Sequence, residues 1–393
     1  MTQHFKKIIY AQSNGKTQFH GAGWIIVDPW TIIENGCIEV NNGSIVGVHK
    51  HKPKHDVIDH GPGALVSPLV NTHLHLELSA LKGSLPFDQG FGTWVKTLLE
   101  KRDTFSDREL TRAVKDSAKD LKRNGTLWVG DIAGLDIVRP IAAQLSLNGL
   151  FFQEFLGTSI PTFFLSKGEL FSFGVAGHAP HTTSPELLRT LKKQAQSQKL
   201  PFSIHLAESE DETKFLIEQK GAWADFLISR GINFSTWQIQ SNTPVGYISD
   251  LGLLDASTIA VHLLNVSDKD MECLSQSKTK VCLCPRSNEN LHKTLPDIEK
   301  MIKYGIQPAL GTDSLASCQS LDLFDEMAFV KNKYPTLDPA LILAMATTNG
   351  ACALGVQQLT GSLEAKKRAD FLYVPVKANN KTDLLEKLVS NEF

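Results

Sequence analysis

Two textures of hydrophobic and polar positions divide the chain. Over residues 1–65 the apolar runs are short, FHGAGWIIV, CIEV and SIVGVH, and turn residues separate them. Asn41-Asn42-Gly43 lies between the last two runs. An Asn-Gly pair tolerates positive φ at both central positions of a tight turn, so this segment predicts a β-hairpin. From Ala64 onward, apolar runs of strand length alternate with amphipathic stretches. The runs are ALVSPLVNTH, TLWVGD, LFFQEF, FSFGVAGHA, FSIHLAE, TIAVH, KVCLC and QPALGTD; SDRELTRAVKDSAKDLKR and SPELLRTLKKQAQSQ are two of the helical stretches between them. Ser184 and Pro185 open the latter as N-cap and first-turn proline.

Strands alternating with helices eight times over predict an α/β fold, the (β/α)8 TIM barrel. A doubly wound open sheet is the structural alternative. No G-x-G-x-x-G follows the first strand, so its dinucleotide-binding version loses support. After the helical stretch DPALILAMATTNGACALG, the segment GSLEAKKRADFLYVPV reads as a turn and a strand, too short to fold alone. It is expected to complete a small β-sandwich domain with the N-terminal strands. The expected boundaries are 1–65 and 359–393 for the two parts of that domain and 66–358 for the barrel.

Composition narrows the class without changing this picture. Hydrophobic residues make up 42% and charged residues 21%, the balance of a soluble globular protein. A net charge of −2, with no basic block or acidic tail, argues against nucleic-acid or membrane-surface partners. The start, MTQHFKKIIYAQSNGKTQ, lacks the apolar core of a secretory signal, and no stretch approaches the roughly 20 apolar residues of a membrane span. The cysteines show no C-x-x-C spacing, which fits a reducing cytoplasm better than a disulfide framework. Cys282 and Cys284 could be soft ligands on one strand face; buried reduced thiols are the simpler reading and are preferred. His49, His51, His55 and His60 crowd one loop, where solvated histidines among lysines are preferred over a metal site. The expected partner is a small-molecule substrate, with a homodimer left open.

The chemistry-bearing residues gather at strand ends. His73 and His75 close the first barrel strand, and alternation puts both on one face, where two imidazoles can ligate one ion. Alone, H-x-H is a weak signal. The pattern continues with His205 at the end of the fifth strand, His262 at the end of the sixth and Asp313 at the end of the eighth. Active-site groups of a barrel come from the C-terminal ends of several strands, so this distribution reads as a metal-dependent hydrolytic site. Glu208, three residues after His205, suits a general acid–base; the alternative is a helix first-turn glutamate favoured by the dipole.

SPLVNTHLHLELS, GHAPHTTSPELL, IHLAESEDE, AVHLLNVSDKD, VCLCPRSNENL and ALGTDSLAS resemble the motif series of the amidohydrolase superfamily. Within it they resemble the mononuclear deaminase branch, which includes cytosine deaminases and chlorohydrolases. The resemblance covers nearly the whole chain. It implies that His73, His75, His205 and Asp313 ligate one divalent metal ion, that Glu208 shuttles protons, and that His262 orients the attacking water. Asp313 would also take a proton and help deliver it to departing ammonia. Zinc suits the ligand set best, with iron or manganese as alternatives. The dinuclear branches place a carboxylated lysine at the end of the fourth strand; here that strand ends in His178. Two further departures are Asn265, where relatives carry a histidine, and His181, where a tyrosine is common.

Around this centre, His178 is expected to face substrate, with a core histidine the alternative. Glu77, which follows H-x-H on the same strand parity, and Glu154, at the end of the third-strand run, are candidates to accept hydrogen bonds from a sugar or base, with a surface glutamate the alternative for Glu77. Trp94 and Arg102 either cap the pocket by stacking and charge or simply share a helix face. Ser287 and Asn288 in CPRSN offer short polar groups near the mouth, unless that segment is a plain turn. The stretch LELSALKGSLPFDQGFGTWVKTLLEKR resembles aminodeoxyfutalosine deaminases of the menaquinone pathway, which implies a 6-aminopurine nucleoside with a bulky aromatic 5′ extension. Deamination of S-adenosylhomocysteine, methylthioadenosine, adenosine, guanine, cytosine or a triazine stays open. So does a catalytically silent barrel that only binds.

Overall fold

The computed structural model describes residues 6–11, 15–53, 56–160, 162 and 164–393. His55 and the first five residues of the start, read above as lacking a secretory signal, lie outside the described residues. Eight strands carry the larger sheet: β1 (Leu69–Leu74), β2 (Thr126–Ala133), β3 (Asn148–Phe155), β4 (Phe171–Gly177), β5 (Phe202–Leu206), β6 (Thr258–His262), β7 (Lys280–Leu283) and β8 (Ala309–Leu310). They lie side by side in chain order, and the registers from β3 to β8 are parallel throughout. The ends meet. Leu74 bridges Asp313 in parallel, and the His73 carbonyl accepts the N–H groups of Thr312 (3.0 Å) and Asp313 (3.1 Å). The sheet is therefore a closed barrel, as the alternation of strands and helices predicts. β1, β2, β5 and β6 are buried along their whole lengths, because such strands have side chains on one face in the barrel and on the other under helices.

The chain divides into two compact units, one of Met1–Thr72, Lys119–Trp128 and Asp322–Phe393, the other of His73–Ala118 and Val129–Leu321. The first unit holds two small sheets. One orders Lys7–Tyr10, Asp370–Val374, Ala64–Val66, Trp24–Asp28 and Thr31–Glu34; the other orders Ser44–His49, Cys37–Asn41, Gln18–Gly21 and Val57–Asp59. Ile25, Leu65, Phe371 and Tyr373 of the former pack with Ile38, Val40 and Ile45 of the latter, the buried layer of a sandwich. The expected hairpin is present: Asn41 pairs with Ser44 across Asn42 (φ 48°) and Gly43 (φ 72°).

Several elements differ from the sequence reading. ALVSPLVNTH is two strands, Ala64–Val66 in the five-stranded sheet and β1 in the barrel, with Pro68, which cannot donate a ladder bond, at the break. FHGAGWIIV likewise divides between the two small sheets at Gly23, where a Cβ would lie 2.3 Å from the Pro62 carbonyl oxygen. The stretch 338–355 is two helices, Pro339–Met345 and Thr348–Ala353. Thr347 sits between them with its hydroxyl turned back onto the Leu343 carbonyl (2.6 Å). Beyond the expected C-terminal strand, Lys381–Val389 forms a helix capped by Asn380.

Candidate active site

The C-terminal ends of β1, β5, β6 and β8 bring His73, His75, His205, His262 and Asp313 together. His73 Nε2 lies 3.2 Å from His205 Nε2, and His75 Nε2 lies 3.6 Å from Asp313 Oδ1. His205 Nδ1 donates to the His178 carbonyl (2.8 Å), which leaves its Nε2 as a bare lone pair facing His73. The Nε2 atoms of His73 and His205, facing each other beside an ionisable carboxylate, form a donor set that fits a divalent cation. The ligand atoms of His73, His75 and Asp313 fall within 4.8 Å of one another, as do those of His73, His205 and His262. Burial, with the neighbouring imidazoles, pushes His73 well below the usual histidine range, and burial holds His75 at about 4. Both rings are thus neutral, the form that ligates metal. Asp313 Oδ2 accepts from Ser287 Oγ (2.5 Å) and Ser317 Oγ (3.0 Å), so Oδ1 is the oxygen turned toward His75.

The strand ends are bent to make this possible. Ala207 (φ 53°), His262 (φ 76°), Leu263 (φ 52°) and Asp313 (φ 58°) all occupy the left-handed region, which costs a non-glycine residue about 1–2 kcal/mol. At the β5 end the strain is held by hydrogen bonds. The Ala207 carbonyl accepts from Leu264 (2.9 Å) and Asn265 (3.0 Å), while the N–H groups of Ala207 and Glu208 donate to Glu212 Oε1 (3.1 Å) and Oε2 (2.8 Å). Glu208 therefore precedes the helix Glu210–Glu218, whose N-cap is Ser209; it is not a first-turn residue. Its Oε1 lies 3.2 Å from His292 Nε2 and 3.8 Å from His262 Nε2. Burial alone would raise this carboxyl, but His262 and His292 pull it well below the usual carboxylate range. The Asn288 amide donates to His262 Nδ1 (2.9 Å), which puts the ring proton on Nε2, facing Glu208.

A cleft of about 230 Å³ leads from these groups to the surface. His178, Glu154, Glu77, Trp94 and Arg102 all line it. Trp94 and Arg102 belong to the helix Phe91–Arg102, and Trp94 Nε1 donates to the Ala316 carbonyl (3.3 Å). His178 directly follows β4, with Nδ1 on Thr182 Oγ1 (2.7 Å). Glu77 does not continue the strand parity of His73 and His75: it lies in the 3-10 helix Leu76–Leu81, and its oxygens accept from Gly134 (3.0 Å) and Leu135 (2.6 Å). It is buried, so the surface alternative does not hold, and burial pushes it up to about 7. Burial likewise raises Glu154 to about 7; its Oε1 lies 3.5 Å from His205 Nδ1 and accepts no hydrogen bond among the described residues. Ser287 and Asn288 sit on the helix Pro285–His292 rather than in a plain turn. Cys282 and Cys284 are buried and outside any disulfide, and neither joins a metal-binding group among the described residues. His60 does not project into solvent; its Nε2 meets His20 Nδ1 at 3.0 Å with the rings stacked.

The sequence reading missed Glu212, Ser317, His292 and the far wall of the cleft, Trp223, Phe226 and Arg230. Glu212 left a signal, the S-x-x-E of Ser209–Glu212, which marks a helix start. The others left none, because they lie on segments that meet only in the folded barrel.

A family model described as the amidohydrolase family matches residues 158–390. The chain belongs to the amidohydrolase family. As a member it is a hydrolase acting on carbon–nitrogen bonds. It is 28% identical over 377 residues to a 5-methylthioadenosine/S-adenosylhomocysteine deaminase of Moorella thermoacetica, covering 88% of this chain and 82% of that protein. An aminodeoxyfutalosine deaminase of Deinococcus radiodurans is 29% identical over 318 residues, 75% of this chain and 74% of its own length. The fold is shared with the aminofutalosine deaminase of Helicobacter pylori solved with methylthio-coformycin. That match has a TM-score of 0.82 at 21% identity and covers 95% and 96% of the two chains.

Proposed function

We propose that this amidohydrolase deaminates 6-aminopurine nucleosides, and that aminodeoxyfutalosine, with its aromatic 5′ extension, is its substrate. The observation that carries the reading is the make-up of the cleft. Its floor holds the metal-type donors and Glu208. Its wall carries Phe91 stacked between Trp94 and Trp223, with ring centroids 6.0 Å and 6.1 Å away. A flat aromatic extension suits that wall, and Arg102 and Arg230 suit a carboxylate at its far end. The relatives named above act, by their names, on adenosines altered at the 5′ position, which supports the same class. S-adenosylhomocysteine is the second reading, because it too ends in a carboxylate that the two arginines could meet.

In this reading His73, His75, His205 and Asp313 hold one divalent ion, with zinc the best fit to three imidazoles and a carboxylate. The ion, when bound, lowers the pKa of a water toward about 7 and so supplies a nucleophile at neutral pH. Glu208 takes a proton from that water and gives it to the ring nitrogen beside the amino-bearing carbon, which makes the carbon more electrophilic. His262, with its proton on Nε2, donates toward the oxygen that attacks. Asp313, whose Oδ2 is held by Ser287 and Ser317, accepts the second proton and returns it to the amine that leaves as ammonia. One water enters and one ammonia departs.

The test is a spectrophotometric comparison of nucleosides, since adenine-to-hypoxanthine conversion changes the ultraviolet spectrum. Aminodeoxyfutalosine should exceed adenosine in kcat/KM by about 1–3 kcal/mol of transition-state binding, or more, the scale of lost pocket contacts. S-adenosylhomocysteine ahead of it would favour the second reading. Guanine or cytosine ahead of every adenine nucleoside would overturn the substrate class.

A further inference from the structure

His292 ends the helix Pro285–His292 and takes no part in the scheme above. Its Nε2 lies 3.2 Å from Glu208 Oε1, and its side chain is 8% exposed. An ionised carboxylate can only accept, so His292 is the donor. The ring also rests against Phe91, with centroids 4.7 Å apart. Phe91 is itself stacked on Trp94 and Trp223, so the histidine is backed by the aromatic wall of the cleft.

The contact addresses a problem particular to a proton carrier. Glu208 must serve two atoms in turn, and a glutamate side chain has enough rotatable bonds to leave either one. Its backbone N–H is fixed by Glu212 (2.8 Å), but that bond says nothing about where the carboxylate points. His262 Nε2 is 3.8 Å away, too far for a hydrogen bond. The side-chain hydrogen bond that the Glu208 carboxylate accepts comes from His292, and it falls on Oε1.

We propose that His292 is a positioning residue for Glu208: braced by Phe91, it anchors Oε1 and thereby aims Oε2 at the substrate. The proposal rests on the reading of Glu208 as the proton carrier. A carboxylate swung by about 1 Å loses up to about 100-fold in rate, although the metal site and the cleft are intact.

The experiment uses zinc-loaded wild type, His292→Ala, His292→Gln, Glu208→Gln and the double variant His292→Ala/Glu208→Gln. Ammonia release is followed with aminodeoxyfutalosine, or with adenosine if that is turned over faster. His292→Ala should lower kcat by about 10–100-fold. KM should stay within about threefold, and zinc content should be unchanged. His292→Gln, whose amide N–H can reach the same oxygen, should recover most of the loss. In the Glu208→Gln background, His292→Ala should cost less than about twofold more, because the group it positions is already disabled. If His292→Ala does not fold, His292→Asn takes its place, its shorter amide falling short of Oε1. Wild-type kcat in the Ala or Asn variant, or the same fold-loss in both backgrounds, overturns the proposal. Near-wild-type kcat in Glu208→Gln alone is a different failure, that of the proton-carrier reading.

Discussion

Glu212 offers the most direct way to perturb the site without touching a reacting group. It is buried, and its two oxygens take the N–H groups of Ala207 (3.1 Å) and Glu208 (2.8 Å), while its own N–H donates to Ser209 Oγ (3.1 Å). Glu212→Ala leaves two donors unsatisfied in the interior. At about 1–3 kcal/mol for each, the loss comes to about 2–6 kcal/mol, a large share of the roughly 5–15 kcal/mol that holds a typical protein folded. Glu212→Gln keeps one acceptor and should lose about 1–3 kcal/mol. The left-handed Ala207 turn should relax in both variants, moving Glu208 and lowering kcat. Urea unfolding of the zinc-loaded protein reads the first effect and ammonia release the second. Glu212→Ala with a wild-type midpoint and wild-type kcat would refute the claim that this clamp holds the strand end.

The same residue carries a pH signature. Burial raises Glu212 to about 8, against about 4.3 for a glutamate in an unfolded chain. The folded state then binds the extra proton between those values, so its stabilisation is complete below the unfolded pKa and fades as pH rises through about 8. Glu212→Gln lacks this term, so the stability gap between it and wild type should be wider near about pH 5 than near about pH 9. A gap that widens toward high pH would contradict the raised pKa.

Other expectations follow from single contacts. His75→Ala should strip most of the metal, read by elemental analysis, and full occupancy with full activity would remove the first-strand histidines from the ligand set. Gly311→Ala would put a Cβ 2.7 Å from the His73 carbonyl oxygen and 2.9 Å from Cys282 Sγ, so both stability and metal content should fall. A variant with unchanged melting and metal content would show that this seam yields more easily than close packing implies.

Much of the site was legible because barrel geometry is periodic. Strand ends carry the chemistry in a barrel, so finding His73, His205, His262 and Asp313 at run ends locates them before any contact is known. The fold was legible for the same reason, down to the Asn42-Gly43 turn. What escaped depends on contacts between distant segments. His292 and Trp223 look like ordinary helix residues until both rings meet Phe91. Glu77 was misplaced because a strand's alternation was carried past the point where the backbone turns into a 3-10 helix. The β1 boundary was misplaced because two consecutive buried strands read as one apolar run, and Pro68 alone marks the change of sheet.

The central claim is that this chain hydrolyses an exocyclic amino group with Glu208 carrying the proton. The measurement that tests it most directly is ammonia released per nucleoside consumed by the zinc-loaded protein, run beside zinc-loaded Glu208→Gln. One ammonia per inosine-type product is expected in the wild type. In Glu208→Gln, kcat should be about 10²–10⁴-fold lower at equal zinc content. No ammonia from any adenine nucleoside, or undiminished release from the variant, would contradict it.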